Sequence, residues 1–260
     1  MLTVSGLAIA PVKALAVLSR TELAVGPDGV AEDRRLFLIT PAGKIVTLRD
    51  FPALASVRPD LDLAVGRIVL EFPGGSTAEG PLAPSDQQVA GTFLGKRRAG
   101  RVVPGPPAEA LSDYLGQPVS LVLAERIGVG WDEGPVTMLG SGSVEQVAQA
   151  ASAGRDPRRF RMTVTVDGTA PFEEDTWVGR RVGIGELVVE VTEPLGRCVV
   201  ITRSPDTGTA DWNGLRALAR RRGPTGITLG VVTRVVRPGT VRLGDRVAVD
   251  VDGGDDLKAT

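Results

Sequence analysis

Cys198 is the only cysteine among 260 residues, and the chain has no histidine. A single thiol can act as a nucleophile, a soft metal ligand or the carrier of a second sulfur atom, or it can simply fill a small apolar space. The missing histidine removes Ser-His-Asp hydrolysis, Cys-His proteolysis, His-ligated zinc and the facial triad of non-haem iron. One thiol also cannot build an iron–sulfur cluster or a Cys-rich zinc site, and it cannot close an intramolecular disulfide. Arg197 precedes it directly, and its guanidinium would favour the thiolate if the two side chains approach. The residues that follow, Val199, Val200 and Ile201, are β-branched and apolar. They read as a buried strand, which puts Cys198 at a strand's start after the turn-like Glu193-Pro194-Leu195-Gly196.

Other groups carry weaker signals. Asp132-Glu133 and Glu173-Glu174-Asp175 could serve acid–base chemistry, but adjacent acids in turns read first as solvated. Gly140-Ser141-Gly142-Ser143 precedes a helix and resembles an anion-binding N-terminus. No lysine completes a P-loop there.

The elements that must position these groups are short and mostly strands. Alternation predicts strands over residues 2–9, 17–25 and 34–40, with a turn at Gly26-Pro27-Asp28-Gly29. Residues 61–71 read as a hairpin turning at Gly66. Helices are expected over 107–115, stopping at Gly116, and over 143–153, with Ser143 as N-cap and Gln146 completing a capping box. A third is expected over 211–222, with Asp211 as N-cap and Arg220-Arg221-Arg222 complementing the dipole of its last turn. A strand follows over 227–237, then a type II turn at Pro238-Gly239 and a tight turn at Gly244-Asp245.

Composition agrees with a β-rich globular chain. The 33 glycines and 19 prolines punctuate many short strands better than long helices. A net charge of −1 gives no reason to expect a nucleic-acid partner. The N-terminal stretch carries Lys13 where a signal peptide would be apolar, and no apolar run is long enough to span a bilayer. No membrane partner and a cytoplasmic address are therefore expected. The expected domains are 1–90, 91–250 and an acidic flexible tail over 251–260.

The run from Gly196 through Arg197, Cys198 and Thr202 to Ser204-Pro205-Asp206-Thr207-Gly208 resembles the signature of the MOSC family, the molybdenum-cofactor-sulfurase C-terminal domain. Arg159-Phe160-Arg161, the segment from Phe172 to Trp177, and Pro238 through Asp245 are similar to further family segments. Leu7 through Lys13, Asp33-Arg34-Arg35 and Phe51-Pro52-Ala53-Leu54 resemble the N-terminal β-barrel that accompanies MOSC in mitochondrial amidoxime-reducing components and their bacterial relatives. The resemblance implies a mainly β fold: a β-barrel MOSC domain, a smaller N-terminal β-barrel-like domain and about three short helices.

It also implies a pyranopterin molybdenum cofactor, with Cys198 as both metal ligand and catalytic residue. Lys13, Arg34 and Arg161 stand where the family places the residues that hold the anionic cofactor. Arg and Lys are the usual partners of its phosphate. Ser141, Ser143, Thr163, Arg197 and Thr202 complete the expected cofactor-binding set. The implied activity is reduction of an N–O or S–O bond in a small molecule, with an external electron-transfer protein or reductase supplying electrons. Two alternatives are sulfur transfer through a persulfide on Cys198 and a non-catalytic cofactor carrier. The sequence departs from the family pattern at four places. Ala14 follows the lysine in place of serine, and Met162-Thr163 replace Pro-Asn. Gly140 stands at a hydroxyl position, and Ser204 replaces an aspartate.

Overall fold

The computed structural model describes residues 1–151, 156–223 and 226–251. In chain order its elements are β1 (Leu2–Ile9), β2 (Leu18–Arg20), β3 (Glu22–Gly26), β4 (Gly29–Val30), β5 (Leu36–Ile39), β6 (Arg58–Asp62), β7 (Arg67–Glu71), β8 (Thr77–Pro81), β9 (Gln88–Phe93), β10 (Lys96–Val102), α1 (Pro106–Leu115) and β11 (Ser120–Ala124). There follow β12 (Val136–Gly140), α2 (Ser141–Ala151), β13 (Val164–Asp167), β14 (Arg181–Ile184), β15 (Leu187–Gly196), α3 (Gly214–Arg222), β16 (Thr228–Arg237), β17 (Gly239–Arg242) and β18 (Arg246–Val249). The fold is mainly β with three α-helices, as the sequence implies.

Seven strands close into a barrel in the order β1-β13-β12-β16-β15-β14-β18 and back to β1, with β2 added beside β1. Closure leaves no free edge in the ring. The barrel is filled by β-branched side chains such as Val136, Val166, Val182, Val189 and Val231, together with Trp177, all at most 1% exposed. Alternation along each strand sends these residues inward. A second core is built by β5-β11-β10-β9, a curled sheet, and by β6-β7-β8, with Leu36, Leu38, Leu54, Leu70, Leu111 and Leu121 at its centre. The curled sheet runs through residue 90, where the sequence suggested a division: β9 straddles it and β10 pairs with both β9 and β11. Connections cross between the halves, since β1 belongs to the barrel and β17 pairs with β3.

Several local expectations need correction. The run over 199–201 is not a strand but part of a 3-10 turn, Val199–Thr202. A turn can send its successive side chains to different cores, and this one does: Val200 packs against the N-terminal core and Ile201 against the core under α2 and α3. Residues 193–196 are not a turn but extend β15, whose register against β16 shifts around Val191/Glu193 and Pro194/Gly196. Such irregularities let a strand accept proline, which has no N–H to donate. Ser143 is not an N-cap; α2 begins two residues earlier and buries it. Asp211 does not cap α3, which starts at Gly214; a bidentate ion pair with Arg159 takes its carboxylate instead. Gly239 does not have the positive φ of a type II turn. It is needed because a Cβ there would lie 2.6–2.7 Å from Glu186. Residues 152–153 and the acidic tail beyond Val251 lie outside the described residues. Among the described residues, no helix is long and apolar enough to cross a membrane.

Gly208 ties the segment after Cys198 to the N-terminal half. Its φ is +73°, and a Cβ would sit 1.8 Å from the carbonyl oxygen of Pro52. Gly66 has nearly the same φ, +71°, with nothing within 4 Å of a Cβ. Gly66→Ala therefore carries only the backbone strain, whereas Gly208→Ala adds a collision with backbone. Chemical denaturation should show Gly208→Ala costing about 1–3 kcal/mol more than Gly66→Ala.

Candidate functional site

Lys13 follows the bridge that Val12 forms with Leu36, and its backbone N–H donates to Leu36 O at 2.8 Å. The side chain is carried inward, leaving the residue 4% exposed. Its ammonium donates to Gly130 O at 3.3 Å and to Asp132 Oδ1, and it lies 4.4 Å from the centre of the Phe93 ring. Burial lowers the pKa of Lys13, and Asp132 opposes that shift.

Arg34 sits at φ +50° and Arg161 at φ +53°, both left-handed, and so is Ala14 beside Lys13 at +74°. Left-handed non-glycine residues are uncommon and cluster at functional sites. Arg34 donates to Asp33 Oδ2 at 2.5 Å and to Arg161 O at 3.1 Å, so it is paired. Asp33, 2% exposed, is fixed in turn by the N–H of Ala10 at 2.8 Å.

Arg161 differs. It ends the 3-10 turn Pro157–Phe160. Among the described residues no carboxylate lies within ion-pair distance of it. Burial, followed by the positive charge of Arg34, pushes its pKa down to about 10. Asp132 and Asp33 act on Arg161 only from beyond ion-pair distance, so its guanidinium is the cation in this cleft best placed to receive an added anion.

Cys198 is free and half-buried. Arg197 turns away from it: the guanidinium donates to Leu229 O at 2.8 Å, to Phe160 O at 2.9 Å and to the sulfur of Met162. Burial pushes the pKa of Arg197 down to about 10 as well. Arg49, from the turn after Thr47, lines the same cleft as Cys198, which acts to raise the pKa of its guanidinium.

Lys13, Arg34, Arg49, Arg161, Thr163, Arg197 and Cys198 all line one cleft, roofed by Phe93, Trp131 and Asp132. Thr163, 3% exposed, shares its hydroxyl with that of Thr137 at 3.3 Å.

Ser141, Ser143 and Thr202 are not brought into this cleft. Ser141 donates to Asp167 at 2.7 Å, and Thr202 closes its own turn on Val199 O at 2.7 Å. Ser143 donates to the fully buried Glu174 at 2.7 Å. The α2 N-terminus is likewise taken: Gly142 N–H donates to Thr169 at 3.1 Å, and Gly140 N–H reaches Glu174. The glycine at 140 follows from this packing, because a Cβ would lie 2.5 Å from Thr169 and 2.8 Å from Glu174. Glu174 is thus not solvated. Asp132 is also not a free surface acid. Lys13 and Arg34 hold its carboxyl below the usual carboxylate range against the opposing effect of burial. Ser204, standing for an aspartate, caps its turn by accepting from the N–H groups of Asp206 and Thr207.

Two family models match in tandem: the MOSC N-terminal beta barrel domain over residues 1–118 and the MOSC domain over residues 125–248. The chain belongs to the MOSC family. It is 26% identical over 263 residues to molybdenum cofactor sulfurase of Danio rerio, covering 88% of this chain and 31% of that protein. To the enzyme of the same name from Homo sapiens it is 24% identical over 257 residues, covering 84% and 28%. The chain thus spans about three tenths of the length of these curated relatives. Among solved structures, it is similar to the YuaD protein of Bacillus subtilis, with a TM-score of 0.48 at 14% identity over 96% of each chain. It is also similar to YiiM of Geobacillus stearothermophilus, with a TM-score of 0.36 at 20% identity over 49% of this chain and 59% of that one.

The unpaired charge of Arg161 makes a sign prediction. Its folded pKa lies below its unfolded value, so the charged form costs stability at neutral pH. That cost is relieved only as pH rises past about 10. Arg161→Met should therefore stabilise the ligand-free protein by about 1–2 kcal/mol at pH 7 in thermal denaturation. Titration with inorganic phosphate should show binding lost in the same variant.

Proposed function

We propose that the cleft holds a pyranopterin molybdenum cofactor with Cys198 as the metal ligand, and that the chain reduces N–O or S–O bonds of small molecules. The observation that carries this reading is the placement of Arg161, which makes no direct ion pair, in the same cleft as Lys13, Arg34 and the free Cys198. The donor set fits such a group: cations for its phosphate and one soft thiolate for its metal. Among the described residues, no cluster of three or more His, Cys, Asp or Glu side chains could bind a bare metal ion. A metal would have to arrive with its other ligands already attached.

When bound, the group supplies a two-electron centre for oxo transfer. The residues of the chain do the rest. Lys13, Arg34 and Arg161 bind and orient the phosphate. Arg197 holds the Phe160 carbonyl and the Met162 side chain, the residues on either side of Arg161. Arg49, Phe93 and Trp131 complete the lining of the cleft that holds Cys198. The electrons are supplied by a redox partner, since the one cysteine of these 260 residues cannot hold an iron–sulfur cluster.

A second reading, sulfur transfer through a persulfide on Cys198, is favoured by the curated relatives, which are named molybdenum cofactor sulfurase. Metal analysis of protein from a host that makes the cofactor separates the two. Near-stoichiometric molybdenum, lost in Cys198→Ser, is the expected result. Absence of molybdenum from both proteins, with one extra sulfur atom on Cys198 by intact mass, would replace the first reading by the second.

A further inference from the structure

Asp132 holds the place of a ligand. With it in position the cleft measures about 160 Å³, below the roughly 300–1,000 Å³ usual for organic ligands. We propose that Asp132 is a built-in counter-anion that holds Lys13 in the ligand-free cleft and gives it up when a phosphate-bearing ligand enters. This rests on the reading of the cleft as an anion site.

Three observations carry it. Lys13 has almost no access to water, so its ammonium must have a partner, and Asp132 is that partner. The Asp132 side chain is 47% exposed while Lys13 is at 5%, so the acid can turn to solvent and the base cannot.

The backbone around Asp132 is pinned. Trp131 O accepts from Arg98 at 2.7 Å. The Trp131 ring lies against Gly29 and Gly128, whose Cβ atoms would come within 2.7 and 2.9 Å of it, and a Cβ on Gly130 would meet Arg34 O at 2.0 Å. Rotation of the Asp132 side chain is therefore the inexpensive movement at this end of the cleft.

The charges agree. Lys13, Arg34, Arg49, Arg161 and Arg197 line the cleft with Asp132 and Glu133, while Arg159 is paired with Asp211 and Asp33 stays on Arg34 and Ala10. Cations are in excess, and turning Asp132 away widens that excess. A singly charged anion recovers no more than Asp132 already supplies. The exchange therefore favours multiply charged ligands.

Isothermal titration of the full chain with inorganic phosphate, at fixed ionic strength, tests this in Asp132→Asn and Asp132→Ser. Both should bind phosphate about tenfold more tightly than the unsubstituted protein, because a like charge has left the site. Both should also melt roughly 2–4 °C lower without phosphate, because buried Lys13 has lost its partner. Equal or weaker binding in the two variants overturns the proposal. The anion reading survives that result if the unsubstituted protein still binds and Arg161→Met does not. Tighter binding in Asp132→Asn alone also overturns the proposal, because the new amide would then be the cause. If no protein binds phosphate saturably, the anion site falls and the proposal falls with it.

Discussion

Positive charge buried without enough negative charge is the constraint around which this protein is arranged. Lys13, Arg34, Arg161 and Arg197 all sit in or under one cleft, and desolvation acts against each of them. A charge taken from water is tolerated only where other groups answer it. Here the answers differ: carboxylates for Lys13 and Arg34, backbone carbonyls and a thioether for Arg197, and no carboxylate for Arg161. Four left-handed non-glycine residues, Ala14, Arg34, Leu94 and Arg161, line the same place. Backbone strain and electrostatic strain are thus stored together, as expected where surroundings over-determine a geometry that the local chain would not choose.

What over-determines it is the junction between two cores. The turn after Cys198 sends Val200 into one core and Ile201 into the other. Gly208 lies against Pro52, and Arg203 O and Asp211 both receive Arg159. The thiol is therefore fixed by two hydrophobic cores and by ion pairs across 52 residues of chain. The sulfur on such a mount has little freedom to wander.

Much of this was legible in the sequence. The family resemblance implied Lys13, Arg34, Ser141, Ser143, Arg161, Thr163, Arg197, Cys198 and Thr202 as one set; the fold brings six of these nine to one cleft and leaves Ser141, Ser143 and Thr202 outside it. Periodicity located β1, the β6–β7 hairpin and α1. The failures have a common physical form. Ser143 and Asp211 have the chemistry of helix caps, but their hydrogen bonds go to Glu174 and Arg159, 31 and 52 residues away. Asp132 and Glu174 look like turn acids until Lys13, from a turn after β1, and Ser143, from α2, reach them. Arg49 carried no local signal, since an exposed arginine in a turn is the commonest of features. Val199 to Ile201 shows that β-branched residues record burial more faithfully than they record backbone conformation.

The closed ring has a consequence for how the chain is made. β1 is synthesised before every other strand, yet its two ring neighbours are β13 and β18, the latter at the far end of the barrel. Folding cannot proceed simply in the order of synthesis. The first strand can pair only with the short β2 until β13 is made, and its other ring edge stays open until β18 follows. A segment spanning only residues 125–248 would present the unpaired edges of β13 and β18 where β1 belongs. Such edges invite pairing between molecules. The two family segments are therefore sequential in the chain but not separable in space. The strand that completes the second is carried by the first.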